Sequence, residues 1–125
     1  MNIQQKIKMA VDYLNKHHNK NNYDVCLVTF ENELECYAYY NRTWGTININ
    51  LELFENVDFD YIIQTNMKMQ QPYMIKNCET IEDLIWWNVA HEYNHHNDLE
   101  NINKHNNKFY KQTEVLYKEI KKINF

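Results

Sequence analysis

His91 and His95 are the first and last residues of a His-Glu-x-x-His pattern in the second half of this chain. On an α-helix, side chains four residues apart lie on the same face, so both imidazoles can bind one metal ion. Imidazole nitrogens bind Zn²⁺ at about 2.0–2.1 Å. Glu92 lies about 100° further round the helix, where it can reach a water molecule without binding the ion. The pattern therefore predicts a helix that carries a zinc site, with Glu92 as the general base.

The residues before this pattern predict a helix that begins after Thr80 and crosses a hydrophobic core. Thr80 is followed three residues later by Asp83, which resembles a capping box, and Glu82 adds negative charge to the positive end of the helix. Apolar residues supply burial along its first half: Ile81, Leu84, Ile85, Trp87 and Val89. After His95 the sequence becomes polar, so we expect the helix to end near residue 100. A buried first half followed by metal-binding side chains is less expected of a surface helix.

The other patterns predict an α+β fold around this helix. Apolar residues at spacings of three and four predict an N-terminal helix over residues 3–16 and a C-terminal helix over residues 106–123. Runs rich in β-formers predict three strands, over residues 23–31, 34–41 and 43–51. We expect the strands to form a three-stranded antiparallel meander, with a mixed sheet as the alternative, and the third strand at or near an edge. Together these elements predict a single small α+β domain spanning residues 1–125.

The third predicted strand also carries the prediction for substrate binding. Its apolar residues alternate with polar ones, so that Thr46, Asn48 and Asn50 are expected to face outwards. Gly45 precedes this alternation and indicates a bulge or a close approach of another backbone. An extended peptide can add to the edge of a sheet through backbone hydrogen bonds. We therefore predict that Thr46, Asn48 and Asn50 line the substrate site.

Residues 52–79 have the weakest pattern. Residues 59–70 are compatible with a short helix that ends at Gln71 and Pro72, because the residue before a proline is biased away from helical conformation. Residues 73–75 are expected to form a brief strand or a packed loop. This segment therefore contributes no predicted site residue.

Composition limits the classes of partner. The 125 residues suffice for one domain with a modest core, and a net charge of −4 argues against a partner made of nucleic acid. The three cysteines form no CxxC pair, which indicates reduced structural thiols. Residues 1–6 do not resemble a signal peptide, and no apolar run has transmembrane length. We therefore expect a cytoplasmic protein without a membrane partner.

Two residues compete to be the third metal ligand that catalytic zinc sites use. His105 lies ten residues after His95, and Glu114 lies nineteen residues after it, as in a gluzincin-like arrangement. His105 and Glu114 should be about 13 Å apart along one helix, so both cannot bind the same ion. We favour His105, because a residue that leads a helix after a short loop can easily fold back onto His91 and His95.

The string from His91 to His95, followed by His105 and the aromatic pair Phe109-Tyr110, resembles the SprT-like zinc metallopeptidases. Their pattern is HExxH, a variable loop, and a histidine followed by an aromatic residue. The run from Gly45 to Leu51 is similar to the strand that precedes the active-site helix in that family and lines its substrate cleft. The resemblance implies a small zincin-like domain in which zinc is bound by His91, His95 and His105, and in which Glu92 is the base.

These observations predict a zinc-dependent metallopeptidase that acts on a peptide or protein substrate. Zinc would activate a water molecule and polarise the peptide carbonyl, and Glu92 would transfer the proton to the leaving amine. Tyr110 and Tyr117 are candidates for stabilising the oxyanion. Two alternatives stay open: a gluzincin-like peptidase with Glu114 as third ligand, and a catalytically silent interaction module that keeps the fold.

Overall fold

The computed structural model describes residues 1–21, 25–32, 35–99 and 104–125. These residues form an α+β fold with six helices and a three-stranded mixed sheet. In chain order the elements are α1 (Ile3–His17), β1 (Leu27–Phe30), β2 (Ala38–Asn41), β3 (Thr46–Ile49), α2 (Leu51–Glu55), α3 (Phe59–Gln64), α4 (Gln71–Asn77), α5 (Ile81–Asn97) and α6 (Asn107–Lys121). The predicted starts of the first two strands lie outside the described residues. Helix α5 ends at Asn97, close to the predicted end near residue 100.

The sheet has the order β1-β3-β2, so the third strand lies in the centre. Strand β3 pairs in parallel with β1 and antiparallel with β2. The sheet is therefore mixed, and the expected antiparallel meander is wrong for β1, which pairs in parallel with β3. The prediction that the third strand lies at or near an edge is also wrong. Ile47 and Asn48 are both buried, and the hydroxyl of Thr29 on β1 donates to the Asn48 amide oxygen. A buried polar side chain with a hydrogen-bond partner gives the same alternation of apolar and polar residues in the sequence as an exposed polar side chain does.

The central position of β3 removes the basis for the predicted substrate-binding residues. Its backbone is paired on both sides, so no peptide can add to it. Asn48 is 3% exposed and donates to the Thr46 hydroxyl and carbonyl oxygens at 3.4 Å. Asn50 is also 3% exposed, and its side chain accepts from the Leu53 N–H at 3.0 Å as the N-cap of α2. The side chains of Thr46, Asn48 and Asn50 therefore stabilise the sheet and the start of α2.

Helix α5 runs through the hydrophobic core and packs against α1, α4, α6 and the sheet. Its predicted capping box is confirmed, since Thr80 Oγ1 accepts from the Asp83 N–H at 3.1 Å and Asp83 Oδ2 accepts from the Thr80 N–H at 3.2 Å. Most of its residues are buried: Leu84, Ile85, Trp86, Trp87, Val89, Ala90, Glu92, Tyr93, Asn94, His95 and His96. A helix buried nearly all round holds its polar side chains in fixed positions.

Two short helices replace the single helix predicted before α5. Helix α3 ends at Gln64, and α4 begins at Gln71 with Pro72 in its first turn. Pro72 therefore starts a helix instead of ending one, because the first turn does not use the N–H that proline lacks. Residues 73–75 lie within α4, so the expectation of a strand or a loop there is wrong.

The cysteines agree with the expectation of reduced structural thiols. All three cysteines are free thiols; Cys26 and Cys78 are buried, and burial raises the pKa of each to about 12. Thiols that stay protonated are poor nucleophiles, which fits a structural role for these two. In the part of the chain that the structure describes, no helix is both long and apolar enough to cross a membrane.

Candidate metal centre

Three imidazoles converge beside the C-terminal half of α5. The Nε2 atom of His95 lies 3.2 Å from Nε2 of His91 and 3.0 Å from Nε2 of His105. Within the described residues, these three histidines form a group that lies close enough together to bind a metal ion. His91 and His95 come from adjacent turns of α5, as the pattern predicts, and His105 comes from the residues that lead into α6.

Helix α6 holds His105 in place through its contacts with α5. Asn94 is buried, and its side-chain amide donates to the Phe109 carbonyl at 2.9 Å and to the Thr113 hydroxyl at 3.2 Å. The Phe109 ring packs against all three imidazoles, with centroid distances of 5.0, 4.6 and 5.1 Å to His91, His95 and His105. The aromatic residue that follows His105 in the sequence therefore supports the cluster.

All three imidazoles are kept neutral. Burial, with the neighbouring His95 and His105 rings, lowers the pKa of His91 well below its usual value. Burial and the nearby His105 lower the pKa of His95 to about 4, and burial lowers the pKa of His105. Because a metal binds the lone pair of an unprotonated nitrogen, neutral rings are the form that a metal centre needs.

The arrangement of the ring nitrogens and their protons fits a bound cation better than it fits hydrogen bonds between the imidazoles. Nδ1 of His91 lies 2.6 Å from the side-chain oxygen of Gln70, so it carries the proton and leaves Nε2 bare. One N–H on His95 Nε2 could align well with only one of its two neighbours. Nitrogens that share a tetrahedral zinc ion are about 3.4 Å apart, from bond lengths of about 2.0–2.1 Å. The observed separations are close to this spacing, so the three residues fit a zinc ion.

Glu92 is buried beside the imidazole cluster, at 7% exposure. Burial raises the pKa of its carboxyl to about 8, and a hydrogen bond from the backbone N–H of Tyr40 on β2 partly opposes this. The carboxyl therefore has one fixed donor and a high affinity for protons. Both properties suit a group that accepts a proton and releases it again.

A cleft of about 420 Å³ opens onto His91 and Glu92. Its lining includes Cys36, which precedes β2, Ala38, the first residue of β2, and residues of α3 and the turn after it. The cleft is thus lined by one predicted metal ligand, His91, and by the predicted general base, Glu92.

Other predicted site residues lie elsewhere. The structure does not bring Glu114 to the imidazoles; its carboxylate accepts from the Asn77 amide at 2.7 Å and lies near Lys76 and Lys118. Tyr117 donates to the carbonyl of Asn77 at 2.8 Å, away from the cleft.

Tyr110 and His96 are both fully buried. The Tyr110 hydroxyl has no hydrogen-bond partner among the described residues, and its ring centroid lies 6.3 Å from those of His91 and His105. Nδ1 of His96 lies 2.8 Å from the Tyr40 hydroxyl. His96 is therefore an interior residue, between α5 and β2.

Two contributors to the site escaped the sequence analysis. One is Gln70, whose side chain contacts His91, and the other is the backbone N–H of Tyr40, which contacts Glu92. Both contacts join segments that are distant along the chain, and neither residue belongs to a recognisable motif. A backbone donor leaves no trace in the residue type at all.

No protein-family model matches this chain, and neither a curated protein nor a solved structure is similar enough to match it. The chemistry of the site therefore has to be argued from its own geometry.

Proposed function

We propose that this protein is a zinc-dependent peptidase of the SprT-like type, with His91, His95 and His105 as metal ligands. The observation that carries the proposal is the convergence of three neutral Nε2 atoms, 3.0 and 3.2 Å apart, next to a buried carboxyl that faces a cleft. Three protein ligands leave one position open for water or substrate, as in catalytic zinc sites. When bound, Zn²⁺ polarises a carbonyl oxygen and lowers the pKa of water towards 7.

Glu92 is the proposed general base. Its carboxylate takes a proton from the attacking water, holds it on a side-chain oxygen, and delivers it to the nitrogen of the leaving amine. The Tyr40 N–H hydrogen bond fixes the orientation of the carboxylate. Burial beside the cleft keeps bulk water away from the carboxyl, so that the proton is retained until the amine departs.

The substrate strand is proposed to add to β2 instead of β3. Alternate residues of an antiparallel pair exchange hydrogen bonds, and the Asn50 N–H donates to the Tyr37 carbonyl at 2.9 Å. By this alternation Ala38 and Tyr40 turn their backbone groups away from β3, and the Tyr40 N–H accordingly reaches Glu92. Residues 35–38 line the cleft, and in the described part of the chain no other strand covers this edge. An extended peptide beside Ala38 would place its next carbonyl near Glu92.

The proposal is tested by zinc analysis and by cleavage of an unfolded, fluorescently labelled protein. We expect about one zinc per wild-type chain and cleavage that a chelator abolishes. Glu92→Gln should keep zinc but lose at least about 100-fold in rate, since general acid–base catalysis contributes about 10²–10⁴-fold. A zinc-loaded wild-type protein that cleaves no unfolded chain would contradict the peptidase and favour the silent interaction module.

The ligand set is tested by His105→Ala, with Glu114→Ala as the matched control on α6. The first variant should lose zinc at concentrations that saturate the wild type, because two imidazoles hold the ion far more weakly than three. The control should keep zinc, because Glu114 is bound to Asn77 and to lysines outside the cluster. Zinc retained in His105→Ala and lost in Glu114→Ala would refute the assignment.

A further inference from the structure

We infer that Gln70 is a positioning residue of the metal centre, which holds the His91 ring so that its Nε2 atom faces the ion. This inference rests on the proposed function, because it concerns the same site. Gln70 lies between α3 and α4, in sequence far from the ligands, and its side chain is 4% exposed. Nothing in the sequence pattern around it indicates a site.

Every polar atom of the Gln70 side chain has a partner. The amide oxygen accepts from Nδ1 of His91 at 2.6 Å and from the indole Nε1 of Trp87 at 3.1 Å. The amide nitrogen donates to the side-chain oxygen of Asn66 at 2.8 Å. A buried amide bonded at both ends cannot rotate without losing hydrogen bonds that water cannot replace.

The orientation of this amide follows from its neighbours. The indole N–H of Trp87 can only donate, so the atom facing it must be the Gln70 oxygen. At the other end, the Asn66 amide nitrogen donates to the Ile62 carbonyl at 2.8 Å, which leaves the Asn66 oxygen as acceptor for Gln70. Exchanging the oxygen and nitrogen of Gln70 would set donor against donor at one end and acceptor against acceptor at the other.

The fixed oxygen of Gln70 decides the tautomer of His91. Since that oxygen can only accept, His91 must carry its proton on Nδ1, and the lone pair is then on Nε2. Nε2 is the atom that faces His95 at 3.2 Å. A chain of hydrogen bonds from the backbone of α3, through Asn66 and Gln70, therefore prepares His91 for the ion before any ion arrives. Removing the partner of a metal-binding histidine typically weakens metal affinity about 10–100-fold.

The choice of an amide has a chemical consequence. Metal-binding histidines often donate to a carboxylate, which raises the basicity of the ring and offsets part of the charge of the ion. Gln70 provides the same acceptor without a charge. With three neutral imidazoles as ligands, the ion would keep its full positive charge, which favours strong polarisation of a carbonyl oxygen.

The test measures metal binding by the full chain rather than turnover. Zinc affinity is measured by competition with a chromophoric chelator, and the geometry at the ion is followed by the visible absorption bands of the Co²⁺ form. We expect Gln70→Ala to bind zinc about 10–100-fold more weakly and to shift the Co²⁺ bands. Gln70→Glu keeps the acceptor for His91 but loses the hydrogen bond to Asn66, so it should bind zinc more tightly than Gln70→Ala. Gln64→Ala, at an exposed position at the end of α3, is the matched control and should change neither readout.

Each outcome distinguishes the two proposals. A wild-type protein that binds no zinc removes the proposed function itself. Suppose that the wild-type protein binds zinc, that Gln70→Ala binds it with the same affinity, and that the Co²⁺ bands do not shift. This result overturns only the role of Gln70. Gln70→Glu as weak as Gln70→Ala would assign the effect to packing and would also overturn it. If Gln70→Ala does not fold, Asn66→Ala tests the same role, because it removes the acceptor of the Gln70 amide nitrogen. An unchanged zinc affinity in Asn66→Ala would refute the anchoring of Gln70.

Discussion

Glu92→Gln should stabilise the metal-free protein at neutral and alkaline pH, although it removes the proposed base. Burial raises the pKa of this carboxyl from about 4.5 to about 8 in the folded chain. Between these two values the folded state holds a proton that the unfolded state has released. The free energy of unfolding therefore falls as pH rises from about 4.5 to about 8 and is level beyond. A glutamine at this position cannot ionise, so the variant escapes this loss.

The size of the effect follows from the shift. Each pKa unit corresponds to about 1.4 kcal/mol, so a shift of roughly 3.5 units sets a ceiling of about 5 kcal/mol above pH 8. Buried charged groups behave as if the local dielectric constant were about 20, because the protein relaxes and water penetrates. We therefore expect the variant to exceed the wild type in free energy of unfolding by on the order of 2 kcal/mol, less than this ceiling. In a chain of this length that is worth roughly 8 °C in melting temperature.

The assay is thermal or urea unfolding of chelator-treated protein at pH 5, 7 and 9, followed by circular dichroism. The variant and the wild type should unfold alike at pH 5, differ at pH 7, and differ most at pH 9. Other titrating groups are common to both proteins and cancel in the difference. Zinc should narrow the gap at pH 9, since a nearby cation stabilises the ionised carboxylate. A difference that is constant from pH 5 to pH 9, or a less stable variant at pH 9, would refute the reasoning.

Three further substitutions test the parts that support the site. Asn94→Ala should lower the free energy of unfolding by about 1–3 kcal/mol and weaken zinc binding, because it removes the hydrogen bonds from α5 to the Phe109 carbonyl and the Thr113 hydroxyl; urea unfolding and zinc titration measure both. Gly45→Ala should cost about 1 kcal/mol in urea unfolding, because Gly45 has φ 64°, and Gly45→Asn should cost less. Thr80→Ala should cost about 0.5–2 kcal/mol by removing the N-cap of α5, again by urea unfolding.

Helix α5 could be predicted because its signals are local. The capping residues Thr80 and Asp83, the apolar run after them and the spacing of His91 and His95 all lie within one segment, so short-range rules suffice. His105 could be predicted only as one of two candidates. Its position depends on packing between α5 and α6, and the buried hydrogen bonds of Asn94 that set this packing have no counterpart in periodicity.

The order of the strands could not be predicted, because alternation records only which faces are polar. Asn48 reads as an outward residue, yet it is buried by a hydrogen bond to Thr29, a partner nineteen residues away. Gln70 was placed at the end of a helix and given no role for the same reason. Its three partners come from α5 and from the segment between α3 and α4, and they meet only in the folded chain.

The central position of β3, which the sequence analysis missed, is what makes β2 useful to the proposed site. Because β3 occupies one side of β2, alternate residues of β2 must turn their backbone groups to the other side, where α5 lies. The register that pairs Tyr40 with Ile47 therefore also aims the Tyr40 N–H at Glu92. A slip of one residue would turn that N–H into the sheet and leave the carboxylate without its donor. The pairing of two short strands thus sets both the orientation of the base and the edge that an extended peptide would join.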